Sequence, residues 1–303
     1  MLEYLIDDKF VETSDGIAVG VSGGADSMVL LWALLDKQKE VGFDLHVVNV
    51  NHHIRGIASD EDSAFVEDFC KAKKIKYTIV DVDAKKIKAD KKMTLEEAAR
   101  NARYEAFESV MKKEHLNKLF LAHHKNDQVE TILMHLFRGS GISGACGICD
   151  TDKIFRPLIG FSKEELLKLA KEHGIKFVTD ETNQDNAYAR NYVRNVVIPD
   201  IEKMYPNVVD AIFEFGKKCK NMQKFIEKTP DKRRMLGVYL YDFGRSAPAD
   251  PDLVERELFR ARELLRDGTI EGFILHTNAV ADLGYAAYDR AVRWMAEHGE
   301  EEI

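Results

Sequence analysis

The chain has 303 residues, enough for one large domain or two smaller ones. Its 45% hydrophobic and 32% charged residues are ordinary for a soluble protein, and no apolar run approaches the ~20 residues that span a bilayer, so no membrane partner is expected. A formal net charge of −8 excludes a generally sticky nucleic-acid binder but leaves room for a local basic face. The opening MLEYLIDDKF has neither a basic region nor an apolar stretch after it. Cys70, Cys146, Cys149 and Cys219 are too few for a disulfide framework in a chain this long. Both features point to a cytoplasmic location.

The predicted elements alternate. Residues 17–21 read as a buried strand, followed by an apolar helix over 27–35. A second strand covers 45–50, and an amphipathic helix with Phe65, Val66 and Phe69 on one face covers 60–73. Residues 76–82 alternate and are β-branched, so strand. Thr94 and Glu97 make a capping-box pattern opening a helix over 94–111. A strand at 118–122 and a helix at 127–137 follow. This order predicts an α/β fold, a doubly wound parallel sheet with ligands beyond the carboxyl ends of its strands.

The first strand runs into Ser22-Gly23-Gly24-Ala25-Asp26-Ser27. Two glycines let the backbone turn tightly and approach an anion, and the following helix presents free N–H groups. Ser22 and Ser27 add hydroxyls. Asp26 repels phosphate unless it holds Mg²⁺ or caps the helix. A plain strand-to-helix turn with a capping Asp is the bland alternative. No lysine follows the second glycine, so this is not a G-x-x-x-x-G-K-[ST] loop.

Three further clusters carry chemistry. Asn51-His52-His53-Ile54-Arg55 follows the second strand, at the same sheet edge. Glu97, Arg100 and Arg103 are three apart and share a helix face, which is also the pattern of a solvated ion-pair face. The third cluster is His123-His124-Lys125-Asn126-Asp127-Gln128-Val129-Glu130-Thr131, then Arg138-Gly139-Ser140-Gly141. Asp127 and Glu130 lie three apart at a helix start and would point together at a cation, either a metal or an ammonium group. The bland reading is acids complementing the helix dipole.

These motifs, in this order, resemble the tRNA(Ile)-lysidine synthetases of the PP-loop (N-type ATP pyrophosphatase) superfamily. Arg156-Pro157-Leu158, Asp180-Glu181-Thr182-Asn183, Arg190-Asn191, Arg194 and Pro199 continue the resemblance, which covers about residues 15–220. It implies a ligase that uses ATP to adenylate the carbon-2 oxygen of the wobble cytidine in the CAU-anticodon isoleucine tRNA. Free L-lysine then displaces AMP. It implies ATP and Mg²⁺ as cofactors, with Asp26, Asp127 and Arg100 in the catalytic set. Ser22, Gly23, Gly24, Ala25, Asp26, Ser27, His52 and Arg55 would bind the nucleotide, and Asp26 would hold Mg²⁺. Asp127 and Glu130 would hold lysine, while Arg103, Arg138, Arg190 and Arg194 would bind substrate, with Arg156 adding positive charge for RNA. The wobble base must be splayed into the pocket. A homodimer is left open.

Cys146-Gly147-Ile148-Cys149 keeps a PP-loop tRNA thiolase as the alternative, although a metal centre needs three or four ligands. The tail departs from the resemblance. Residues 1–228 hold 27 Lys and 7 Arg, whereas 229–303 hold 1 Lys and 9 Arg, a switch that a single folded unit does not require. The expected organisation is therefore a catalytic PP-loop domain at 1–205, a helical linker at 206–228 and an atypical Arg-rich segment at 229–303, of foreign origin. Strands at 235–242 and 270–276 and helices at 250–267 and 281–298 make that segment a small β-α-β-α unit. Its 15 acidic and 10 basic residues make a poor RNA clamp, so a nucleotide-binding module without catalysis is a third reading.

Overall fold

The computed structural model describes residues 2–53, 56–83, 94–179, 185–186 and 188–228, together with the backbone of 235–239 and 272–276. The chain divides into two compact units, Met1–Lys220 and Asn221–Ile303.

The first unit is built on five parallel strands: β1 Gly16–Gly20, β2 Asp44–Asn51, β3 Lys76–Asp81, β4 Lys118–Phe120 and β5 Ile154–Phe155. Their order across the sheet is β3-β2-β1-β4-β5. The chain steps outward from β1 to β3, crosses back, and continues outward from β4 on the other side. The β1/β4 seam is thus the switch point at which the loops diverge and leave a crevice. At that seam Val19 lies beside Phe120, with Val47 on its other side.

The helices are α1 Ala25–Val41, α2 Ile57–Lys73, α3 Leu95–Lys113, α4 Lys125–Phe137, α5 Ile142–Ala145, α6 Lys163–Glu172, α7 Ala189–Tyr192, α8 Ile198–Glu202 and α9 Val208–Lys228. Strand periodicity sends alternate side chains to opposite faces. Ile17, Val19 and Val21 pack with Met28 and Leu31 of α1, Val66 of α2 and Leu166 of α6. Ala18 and Val48 face the other way, onto Phe107 and Val110 of α3. Both faces are covered, which is why these strands read as continuous apolar runs. The α/β doubly wound sheet is the fold that the alternation predicts. A third cluster joins Val129 and Leu133 of α4 to Val193, Ile198 and Phe213. It seats the segment from α7 to α9 on α4, with a single π-helical turn at Val193–Val197.

Local signals explain several ends. Thr94 caps α3, its Oγ1 accepting from the Glu97 N–H at 3.2 Å while Glu97 accepts from the Thr94 N–H at 3.0 Å. α1 ends at Gly42, whose φ of 87° is the left-handed conformation that a glycine stop supplies. The elements without a sequence prediction include the two-residue strand β5, the helices α5 and α6, and the 3₁₀ turns Glu3–Leu5 and Asp8–Phe10, which bring Leu2, Leu5 and Ile6 into the core.

In the second unit β6 Met235–Tyr239 and β7 Gly272–His276 pair in parallel, Met235 beside Gly272 and Tyr239 beside His276. They fall on the two predicted tail strands. The helices predicted at 250–267 and 281–298 lie outside the described residues.

Candidate active site

The loop after β1 is shaped by close approach on both sides. Gly23 has φ +88°, and a Cβ there would sit 2.9 Å from Val178 Cγ2. The Val178 N–H donates to the Gly23 carbonyl at 3.0 Å, which locks the turn. Gly20 is equally constrained, because a Cβ would meet Phe107 Cζ and Leu121 Cδ2, each at 2.8 Å. The Ser27 hydroxyl donates to the Gly24 carbonyl at 2.9 Å and accepts from the Ser22 N–H at 3.2 Å. The loop is therefore held before any ligand arrives, and it leads into α1, whose first N–H groups have no intrahelical acceptor.

This loop forms one wall of a cavity of about 580 Å³ at the carboxyl ends of β1, β2 and β4. That volume suits a ligand of nucleotide size. Ser22, Gly24, Asp26 and Ser27 line it on the loop side, and Asn49 to His52 line it at the end of β2. Arg103 and Phe107 come from α3, His123 and Asp127 from the start of α4, and Arg190, Asn191 and Arg194 from the α7 region.

The structure thus gathers Ser22, Gly24, Asp26, Ser27, His52, Arg103, Asp127, Arg190 and Arg194 around one space. Gly23 and Ala25 belong to the loop without lining the cavity, and Ala25 is buried. Arg100 does not line it; its guanidinium lies over the Tyr104 ring, 5.3 Å from the centroid. Arg138 is exposed at the C-terminal end of α4 and also lies off the cavity wall. Arg55 and residues 180–183 lie outside the described residues.

Glu130 sits behind the cavity, with 0% of its surface exposed. Its carboxylate accepts from Arg190 Nε at 2.8 Å, and from Arg194 Nε at 2.6 Å and Nη2 at 2.9 Å. Its buried charge is therefore met by two guanidiniums rather than open to a ligand. Of the pair, Asp127 reaches the cavity wall. It accepts from the His124 N–H at 3.0 Å, with Arg194 Nη2 at 3.4 Å and Arg190 Nη2 at 3.5 Å. Burial pushes the Asp127 carboxyl up, but His124 and Arg190, with the hydrogen bond from the His124 N–H, outweigh it and hold the group below its ordinary value. For Arg194 burial pulls downward, and Glu130 and Asp127 more than restore the charge. Burial, with Arg103 and His53 adding like charge, pushes the His52 imidazole down to about 4. His123 is also pushed well down by burial, against the pull of Asp127 and with Arg156, Arg190 and Arg103 opposing its charge. The cavity therefore presents neutral imidazoles His52 and His123 beside an ionised carboxylate.

Arg156 is corrected by the structure. It is 5% exposed and spends its guanidinium on His123 Nδ1 at 3.2 Å, the Cys149 carbonyl at 2.7 Å and the Tyr104 hydroxyl at 3.3 Å. It shapes the floor under His123 instead of facing RNA. Two further residues shape the site: Lys163, which carries no sequence-level signal, and His124, which belongs to the third sequence cluster. Lys163 Nζ donates to both oxygens of Asp26, each at 2.8 Å, across 137 residues of sequence. His124 Nε2 lies 3.7 Å from Asp26 Oδ2 and 3.5 Å from Asp127 Oδ2, so one imidazole stands between two carboxylates.

Among the described residues no group of three or more His, Cys, Asp or Glu is placed to hold a metal ion by itself. Asp26, beside the loop hydroxyls, fits Mg²⁺ in its usual manner, with one carboxylate and the remaining oxygens from phosphates and water. Cys146 is buried, with its thiol donating to the Ile142 carbonyl at 3.3 Å, and Cys149 is exposed; neither forms a disulfide. Among the described residues no helix is long and apolar enough to cross a membrane.

Comparison with known proteins agrees with this architecture. The chain is 34% identical over 232 residues to a tRNA(Ile)-lysidine synthase of Thermotoga sp. (strain RQ2), covering 76% of this chain and 56% of the relative. It is 35% identical over 228 residues to a tRNA(Ile)-lysidine synthase of Clostridium tetani, covering 74% of this chain and 49% of the relative. The chain thus spans about half the length of the curated relatives it matches. Among solved structures, U34-tRNA thiolase NcsA from Methanococcus maripaludis with its [4Fe-4S] cluster aligns with a TM-score of 0.60 at 20% identity, covering 72% of this chain and 76% of that one. At that identity the likeness concerns the fold. The family model described as a PP-loop domain matches residues 2–201, which include every strand of the sheet and every residue lining the cavity, and the chain belongs to that family.

Proposed function

We propose that this chain is an ATP-dependent tRNA(Ile)-lysidine synthase, a ligase forming a carbon–nitrogen bond, with residues 1–205 as its catalytic domain, 206–228 as a helical linker and 229–303 as a separate segment. The observation that carries the reading is that the phosphate loop and Asp127 open into one cavity at the β1/β4 switch point. The names of the relatives, tRNA(Ile)-lysidine synthases, support tRNA(Ile) and lysine as the substrates, and the finer reading is the CAU-anticodon isoleucine tRNA with free L-lysine.

In this reading the loop N–H groups and the hydroxyls of Ser22 and Ser27 grip the triphosphate of ATP. Mg²⁺, held by Asp26 with phosphate oxygens, would offset charge on the phosphates. The carbon-2 oxygen of the splayed wobble cytidine attacks the α-phosphorus, the bond to the β-phosphate oxygen breaks, and pyrophosphate leaves. The ε-amine of lysine then attacks carbon 2, and AMP departs with the original oxygen. Asp127 would anchor lysine through an amino group, and Glu130 would act through Arg190 and Arg194, which it holds at the cavity edge. His124, 3.5 Å from Asp127, would take the proton that the amine loses. Arg103, with the guanidinium N–H groups of Arg190 and Arg194 not spent on Glu130 and Asp127, would contact the RNA backbone. The enzyme would work in the cytoplasm.

ATP–pyrophosphate exchange tests this. Exchange should require the isoleucine CAU tRNA and proceed without lysine, since adenylation precedes the amine. Exchange that ignores tRNA, or that demands a sulfur donor, would overturn the reading.

A further inference from the structure

The Asp26 carboxylate is not free. One ammonium, Lys163 Nζ, donates to both of its oxygens at 2.8 Å, and His124 Nε2 lies 3.7 Å away. The Lys163 side chain is 40% exposed and that of Asp26 is 24% exposed, so the pair stands where a nucleotide would enter. Lys163 is also built into place. It is the first residue of α6, capped by Ser162, whose Oγ accepts from the Glu165 N–H at 3.2 Å. Its own N–H donates to Asn126 Oδ1 at 3.0 Å, next to Asp127, and the Lys125 N–H donates to the Phe161 carbonyl at 2.8 Å. Two bonds therefore tie the start of α6 to the start of α4 and aim the lysine stem at the phosphate loop.

We propose that Lys163 is a positioning residue that serves as the resident counter-cation of Asp26: it keeps the divalent ion off this carboxylate until nucleotide arrives, and then passes from Asp26 to the phosphates. The proposal rests on the reading of Asp26 as the Mg²⁺ carrier. An ammonium and a divalent ion compete for the same lone pairs, and a lysine head is a compact charge on a flexible stem that can move between acceptors without moving the backbone. Among the described residues no group of three or more His, Cys, Asp or Glu stands ready for a metal, so an ion on Asp26 would draw its remaining ligands from the nucleotide and water. Metal and nucleotide binding are then positively coupled, each favouring the other by the same factor.

The test uses the full chain and Mn²⁺ as probe, with free Mn²⁺ read by electron paramagnetic resonance. In Lys163→Met the nucleotide-free Mn²⁺ affinity should rise about tenfold, equivalent to about 1.4 kcal/mol. Adding Asp26→Asn to that variant should abolish the gain, and Lys163→Arg should stay close to wild type. With the α,β-methylene analogue of ATP present, Lys163→Met should bind the nucleotide more weakly than wild type. A nucleotide-free Mn²⁺ affinity unchanged in Lys163→Met would overturn the proposal. If Asp26→Asn alone leaves binding of the Mn²⁺–nucleotide pair unchanged, the underlying reading of Asp26 fails instead, and the proposal falls with it. Circular dichroism of each variant separates these outcomes from loss of the fold.

Discussion

Replacing Glu130 by Gln decides between two roles for this carboxylate. As a lysine ligand it would leave the fold alone and raise the KM for lysine. The geometry assigns it a different load. It is fully buried and accepts hydrogen bonds from Arg190 Nε, Arg194 Nε and Arg194 Nη2. A hydrogen bond involving a charged group is worth about 1.5–3 kcal/mol net. Glutamine keeps one acceptor oxygen, and guanidiniums that are 23% and 34% exposed recover part of their hydration. The expected loss is therefore about 2–4 kcal/mol, at or below the range for breaking a fully buried pair. In a domain of this size that lowers Tm by about 5–15 °C. Urea titration and thermal melts read this directly. The arginines should also loosen from the cavity edge, so kcat/KM for tRNA falls along with stability. A Tm within about 1 °C of wild type, together with a raised KM for lysine, would refute the structural role.

Acid should weaken the fold through His52 and His123. Both are held neutral in the folded chain but protonate near 6.5 when it unfolds, so their contribution is intact above that value and is lost as pH falls through 6.5 towards about 4 for His52 and about 3 for His123. His52 alone should account for about 1–2 kcal/mol between pH 7 and pH 5, and urea midpoints across that window should flatten in His52→Gln. The depressed carboxylates, such as Asp127, lose their contribution only at lower pH. Gly23→Ala should cost about 1–3 kcal/mol, from φ +88° and the 2.9 Å approach of Val178, and nucleotide affinity measured by calorimetry should fall with it. Asp15→Ala should cost about 3 kcal/mol in urea titration. Asp15 is 4% exposed and ties β1 to β4 through Asn117 Nδ2 at 2.9 Å and Lys118 Nζ at 2.7 Å. Asp26→Asn should retain its circular dichroism and melting curve but lose tRNA-dependent pyrophosphate exchange.

Most of the sheet was legible in sequence because its strands are buried on both faces and flanked by capped helices. Thr94 and Glu97 predicted their helix start within one residue. β5 was not legible, since Ile154–Phe155 is too short to show a period. The turns that carry Leu2 and Ile6 into the core have no periodicity either. Local spacing revealed which chemical groups gather, and the fold decided whom they meet. Asp127 and Glu130 are three apart on α4, yet one lines the cavity and the other is covered by arginines 60 and 64 residues further on. Arg100 and Arg103 share a helix face pattern, yet only Arg103 reaches the cavity wall. Lys163 sits in an ordinary amphipathic helix and has a partner only because α6 starts against the phosphate loop. Long-range ion pairs leave no mark on spacing, and that is where reading by motif stopped.

Transfer of radiolabelled lysine to purified isoleucine tRNA, followed by nuclease digestion and chromatography of the nucleosides, tests the central claim most directly. The account predicts label in a single modified cytidine at the wobble position, dependent on ATP and absent in Asp26→Asn. ATP-dependent chemistry at that position that proceeds without incorporating lysine would contradict it.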